Sequence, residues 1–149
     1  MTKVIEIAIS KNYKGKMQRI ESVQAIAGNG LVGDRHFKEN NHIKSQITLI
    51  EIENINYYNN KTGTFIPPIN FRRNIITEGI QLNELIGREF LVGKVKLRAH
   101  DLCRPCKYLQ EKLNQNNLVK EFLHKGGLRC EILTSGEIVV GDIIRKADD

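Results

Sequence analysis

Leu128-Arg129-Cys130-Glu131-Ile132-Leu133-Thr134-Ser135-Gly136-Glu137-Ile138-Val139-Val140-Gly141-Asp142-Ile143-Ile144-Arg145 is the most legible stretch of the chain. Two runs rich in β-branched residues flank the turn pair Ser135-Gly136, and Gly141-Asp142 leads into a third run, so the stretch predicts a meander of three short strands. Leu128, Cys130 and Ile132 alternate with Arg129 and Glu131, which makes Cys130 a core residue. Asp142 is expected to bond local backbone N–H groups at its turn.

The same period of two recurs upstream. Ile5, Ile7 and Ile9 alternate with Glu6, Ala8 and Ser10, as in a strand with one buried face. Gln18 to Ile26 reads less cleanly as a second strand and Ser45 to Ile50 as a third, with a short helix from Glu51 to Asn60 ending near Gly63. Arg72 to Thr77 predicts another strand, followed by a turn at Glu78-Gly79 and a helical turn around Leu82 and Leu85. Phe90, Val92, Val95 and Leu97, with Gly93 between them, predict a strand with a bulge or tight turn. Pro105 suits the first position of a helix running to about Asn114, and Gly126-Gly127 closes a second short helix from about Leu118. About seven strands, few short helices and no regular βαβ crossover predict a mainly β fold, a closed or nearly closed β-barrel.

A chain of 149 residues fits one domain, residues 1–149, long enough to bury roughly 70% of the surface its unfolded form exposes. Hydrophobic residues at 40% and charged residues at 27% are ordinary for a globular protein, and no apolar run approaches the roughly 18 residues of a membrane span. Glu6 stands where a signal peptide needs apolar residues, so a cytoplasmic location is expected. Three cysteines in a reducing compartment are packing residues, metal ligands or reactive thiols, not a disulfide framework. The net charge of +6 would suit an anionic partner, but the basic residues form no dense run. Nucleic-acid binding lacks support, because Phe and Tyr are few and dispersed and offer no stacking platform.

The chemistry concentrates in Ala99-His100-Asp101-Leu102-Cys103-Arg104-Pro105-Cys106. A thiol reacts as thiolate, and the cation Arg104 together with the free N–H groups of a helix start favours that form. As a zinc half-site the pair Cys103 and Cys106 needs two more ligands, for which only Cys130 and scattered histidines are on offer. As a thioredoxin-type dithiol for thiol–disulfide exchange it has the proline and the helix start but not the alternating βα pattern. Two buried structural thiols is the remaining reading. Arg72-Arg73-Asn74 gathers two guanidiniums and an amide; on a strand Arg72 and Asn74 share a face and would form a fork for phosphate or an oxyanion, or else a solvated edge. The turning loop Gly28-Asn29-Gly30-Leu31-Val32-Gly33 ends in Asp34-Arg35-His36, whose arginine and histidine turn geometry does not explain.

Taken together these segments resemble the MOSC domain, the module found at the C-terminus of molybdenum cofactor sulfurases and as small stand-alone bacterial proteins. The matching pieces are Gly30 to His36, Gln46 to Ile50, Arg72 to Thr77 with Gly79, Leu82 and Leu85, then Gly87, Phe90, Val92-Gly93, Cys103 to Cys106, Gly126 to Cys130 and Gly136 to Asp142. The resemblance runs from about Ser22 to Arg145. It implies a β-barrel whose invariant cysteine carries sulfur as a persulfide or ligates the molybdenum of the pterin cofactor. Cys106 corresponds to that cysteine, with Cys103 as a possible partner. Arg72 and Asn74 correspond to part of the cofactor-side anion site, bordered by Asp34, Arg35 and His36, with Arg104 beside the thiols. The chain holds neither the separate N-terminal β-barrel domain of larger members nor a pyridoxal-phosphate desulfurase domain. The resemblance therefore implies transient binding of the molybdenum cofactor, with a sulfur-donor desulfurase or a molybdoenzyme as partner, and reduction of N-hydroxylated compounds or sulfur transfer as the enzymatic options.

Overall fold

The computed structural model describes residues 2–104, 110–111, 113–115, 118–122 and 124–147. Within them eleven strands form two sheets. The larger, ordered β11-β7-β8-β9-β5-β6-β1-β2, contains β1 (Lys3–Ile9), β2 (Gln18–Ile20), β5 (Ile47–Glu51), β6 (Ile75–Glu78), β7 (Glu89–Val92), β8 (Val95–Leu102), β9 (Leu128–Ile132) and β11 (Ile144–Lys146). The smaller is ordered β10-β3-β4, from β3 (Ser22–Ile26), β4 (Gly30–Leu31) and β10 (Gly136–Val139). The large sheet curls until its two ends approach. The Val4 N–H donates to the Asp142 carbonyl at 2.9 Å and the Gly141 N–H to the Val4 carbonyl at 2.8 Å, tying β1 to the segment that leads into β11. The mainly β, barrel-like architecture is the one the alternation in the sequence predicts.

Alternating side chains explain the core. Val4, Ile7, Leu49, Ile75, Leu97, Leu128, Cys130 and Ile132 fill the inside of the curled sheet, and Val23, Ala25 and Ile138 close it from the small sheet. β5 and β6 are apolar on both faces. Their alternate residues Ile50 and Ile76 point the other way, into a second cluster with Ile55, Tyr58, Phe71, Leu118 and Phe122 beneath the helix α1 (Ile52–Thr62). Strands covered on both sides must carry such continuous apolar runs. Tyr58, Phe71 and Phe122 meet ring to ring, with centroids 5.1 to 6.4 Å apart.

Four local expectations are corrected. β5, α1 and β6 form a βαβ crossover, for β5 and β6 pair in parallel. The C-terminal strands are not a meander: β9 pairs with β5 and β8, β10 with β3, and β11 with β7, because the hydrophobic faces of β9 and β11 complete the large sheet while Ile138 closes the small one. The Gln18 to Ile26 run breaks at Glu21 into strands of different sheets. Arg72 and Arg73 precede the strand, which begins at Ile75, because a 3-10 turn over Pro68–Phe71 ends on Arg72 in the left-handed conformation, φ 64°. Other readings hold: α1 ends at Gly63 in the left-handed conformation, Leu82–Leu85 is a 3-10 turn, β7 and β8 form a hairpin around Gly93, and the Asp142 carboxylate accepts from the Val139 N–H at 2.8 Å. Most of the helix expected from Pro105 lies outside the described residues; Gln110 and Glu111 are helical.

Candidate functional site

In β5 and β9 the alternation that sends Leu49 and Cys130 inward turns Thr48 and Arg129, which are register partners, to the outer face. That patch of sheet is the floor of a cavity of about 200 Å³. Arg35 and His36 from the loop after β4, Lys44 and Ser45 before β5, Arg72, Arg73 and Asn74 before β6, and Cys103 and Arg104 after β8 complete its lining. Six of these eleven residues are arginine or lysine and none is a carboxylate. A concave surface of one sign of charge concentrates anions.

Two short glycines allow the walls to close. At Gly127, φ is +100° and a Cβ would lie 1.8 Å from the Leu49 carbonyl oxygen; at Gly126 a Cβ would lie 2.6 Å from the Cys103 carbonyl oxygen. Only glycine lets the approach to β9 pass this close to β5 and to Cys103. The Cys103 N–H then donates to the Gly127 carbonyl at 2.7 Å, fixing the chain where it leaves β8.

Several lining residues have their polar groups committed to the protein. Asn74 donates to the Ala8 carbonyl at 3.1 Å, and its side-chain oxygen accepts from the Thr48 N–H at 3.1 Å and the Thr48 hydroxyl at 3.2 Å. It is a clip between β1 and β5. Arg72 donates to the carbonyls of Tyr13 and Gly15, each at 2.7 Å. Asp34 accepts from the Ser10 N–H at 3.1 Å and the His36 N–H at 3.3 Å, and pairs with Arg35 at 3.2 Å. Asp34 thereby fixes the loop and does not line the cavity. His36 packs edge-on against Tyr13, centroids 5.4 Å apart, and burial followed by the charge of Arg35 holds its imidazole below the ordinary value.

The other residues face the cavity more openly. Arg104 and Arg129 are exposed, and Lys44 reaches Asp101 at 3.3 Å. Arg73 donates through Nε to the Gly126 carbonyl at 3.0 Å. Burial pushes the Cys103 thiol above its ordinary value, outweighing the nearby charges of Arg73 and Arg129, which draw it down. Cys130, fully buried, is pushed much higher, first by burial and then by Cys103. Among the described residues no three of His, Cys, Asp and Glu gather as metal ligands. Cys106 lies outside the described residues.

The structure therefore brings Arg35, His36, Arg72, Asn74, Cys103 and Arg104 around one cavity, with Asp34 just behind. Sequence reasoning did not single out Arg129, Thr48 and Lys44. The signal for the first two was their outward phase in strands whose inward phase was apolar, a pattern that on its own reads as solvent.

Among described residues, no helix is long and apolar enough to cross a membrane. The sequence has no significant match among curated proteins. The fold is shared with solved structures: YuaD from Bacillus subtilis (TM-score 0.79, 22% identity, covering 97% of this chain and 94% of that one) and YiiM from Geobacillus stearothermophilus (TM-score 0.81, 16% identity, 99% and 76%). YiiM from Escherichia coli is also similar, with a TM-score of 0.74 and 14% identity over 100% of this chain and 71% of that one. The family model of the MOSC domain matches residues 32–145, which include every described residue lining the cavity. The chain belongs to the MOSC-domain family, which is associated with molybdenum-cofactor binding and sulfur transfer.

Proposed function

We propose that the chain binds the molybdenum cofactor, or carries sulfur to it, in the arginine-lined cavity, with Cys106 as the thiolate that ligates metal or holds sulfane sulfur. The observation that carries this reading is a cavity lined by six cationic side chains, no carboxylate and a thiol. The donor set fits the group. Guanidiniums match phosphate and oxo anions, and a thiolate is a soft ligand suited to molybdenum and to sulfane sulfur. Arg73, Arg104 and Arg129 would hold the anionic groups, with Arg35 and Lys44 adding charge. When bound, the molybdenum supplies the redox chemistry.

Burial keeps the Cys103 thiol protonated, which makes it a poor nucleophile. Cys106 follows the cavity residue Arg104 by two positions and is the better candidate. In sulfur transfer its thiolate would attack the outer sulfur of a donor persulfide, forming a new S–S bond as the donor leaves as thiolate, with no net oxidation. The cofactor assay compares protein expressed in cells that make the cofactor with Cys106→Ser. Loss of molybdenum, pterin and persulfide label in the variant supports the reading; equal loading refutes it.

The cavity, at about 200 Å³, is smaller than the roughly 300–1,000 Å³ of pockets that bury a whole ligand. This favours a second reading: a delivery module in the cytoplasm that grips one end of the cofactor, or takes sulfur from a desulfurase, and hands it to a molybdoenzyme. Turnover of an N-hydroxylated compound by the loaded, isolated chain would instead make it a reductase.

A further inference from the structure

The register of β8 against β9 slips between Ala99 and Asp101, so that Ala99 pairs with Cys130 and Asp101 with Arg129. Ala99 and Cys130 are buried in the core. Strict alternation would send Asp101, two residues on from Ala99, to that same inner face. The bulge at His100 turns it outward instead, as the register partner of a residue that lines the cavity. Bulges beside functional sites re-aim a side chain in this way.

What the re-aimed carboxylate meets is Lys44. Its Nζ donates to Asp101 Oδ2 at 3.3 Å, while the Leu102 N–H donates to Oδ1 at 2.8 Å. Lys44 stands before β5, and the sheet order β8-β9-β5 puts β9 between the two partners, so the ion pair spans the strand that carries Arg129. Lys44 lines the cavity and Asp101 does not. Their side chains are 41% and 35% exposed, and an ion pair this open to water is weak and exchanges readily. We propose that the Lys44–Asp101 pair is an exchangeable latch: Lys44 leaves Asp101 to bind an oxyanion that enters the cavity, and Asp101 is the resident competitor that sets how tightly that anion is held. Asp101 is then a positioning residue, acting through Lys44. The Leu102 N–H and then Lys44 hold its carboxyl below the ordinary value, so the competitor keeps its charge at neutral pH. The inference rests on the cavity being an anion site and adds what the anion must displace.

Titration calorimetry with sulfate, at an ionic strength of about 0.15 M where charge acting at a distance is largely screened, compares the natural chain with Asp101→Asn, Lys44→Met and the double variant. Asparagine keeps an acceptor for the Leu102 N–H. Asp101→Asn should bind sulfate about threefold more tightly, the strength of an exposed ion pair, and Lys44→Met should bind it more weakly than the natural chain. In the Lys44→Met background, Asp101→Asn should change the affinity less than about 1.5-fold, because the competitor has lost the group it competes for. An equal gain in both backgrounds makes Asp101 a distant charge and overturns the latch; so does unchanged or weaker binding by Asp101→Asn, or undiminished binding by Lys44→Met. Each of these leaves the anion site standing. Failure of all four proteins to bind sulfate overturns the anion site and the latch together.

Discussion

The two sides of the cavity use similar residues for different ends. On the side of Asp34, Arg72 and Asn74, the side chains bond the backbone of Ala8, Ser10, Tyr13, Gly15, His36 and Thr48; on the other side, Arg104 and Arg129 are exposed near Cys103. The first side is architecture that sets the shape. The second is where an incoming anion or sulfur atom would find partners. A polar residue at a site is thus assigned by where its hydrogen bonds go, not by its type.

Substitutions can break that division. The largest effect is expected at the hinge between the sides: Gly127→Ala, whose new Cβ would collide with the Leu49 carbonyl in a left-handed backbone, should cost about 4 kcal/mol or more in chemical denaturation, or prevent folding. Asn74→Ala should follow at about 3 kcal/mol, because it leaves the Ala8 carbonyl and the Thr48 N–H without their partner. Arg129→Gln reverses the pattern. It should change the unfolding midpoint little, yet weaken inorganic phosphate binding by about fivefold and slow alkylation of Cys103, whose sulfur loses a cationic neighbour.

The smallest effect is a pH dependence from His36. Its folded pKa lies below the unfolded value of about 6.5, so the unfolded chain binds more protons as pH falls through that value. Stability should therefore be fully present above about pH 6.5 and decline below it, and His36→Gln should flatten the decline between about pH 7 and 5.5 in thermal melts.

Much of this fold was legible. Period-two apolar patterns located β1, β5, β7, β8 and β9, and the turn at Gly141-Asp142 was read with its side-chain bond. Strand partners were not, because pairing between distant segments leaves no local mark: β10 leaves its sequence neighbours to join β3, and β5 and β6 lie parallel across α1. The site was half legible. Cys103, Arg104 and the Arg72-Arg73-Asn74 triplet drew notice by composition, but the strand was expected to begin at Arg72 and begins at Ile75. Arg72 stands left-handed instead, and its guanidinium bonds the Tyr13 and Gly15 carbonyls. Arg129 was hidden for the opposite reason, since an outward position on a half-buried strand looks the same whether it meets water or a cavity.

The most direct test of the account is the intact mass of protein purified gently from cells that make the molybdenum cofactor, compared with Cys106→Ser and Arg73→Gln. A sulfur adduct of about 32 Da, or the mass of bound molybdopterin, present in the natural chain, absent from Cys106→Ser and reduced in Arg73→Gln, is the predicted result. An identical unmodified mass for all three, with no metal or pterin in any, would contradict it.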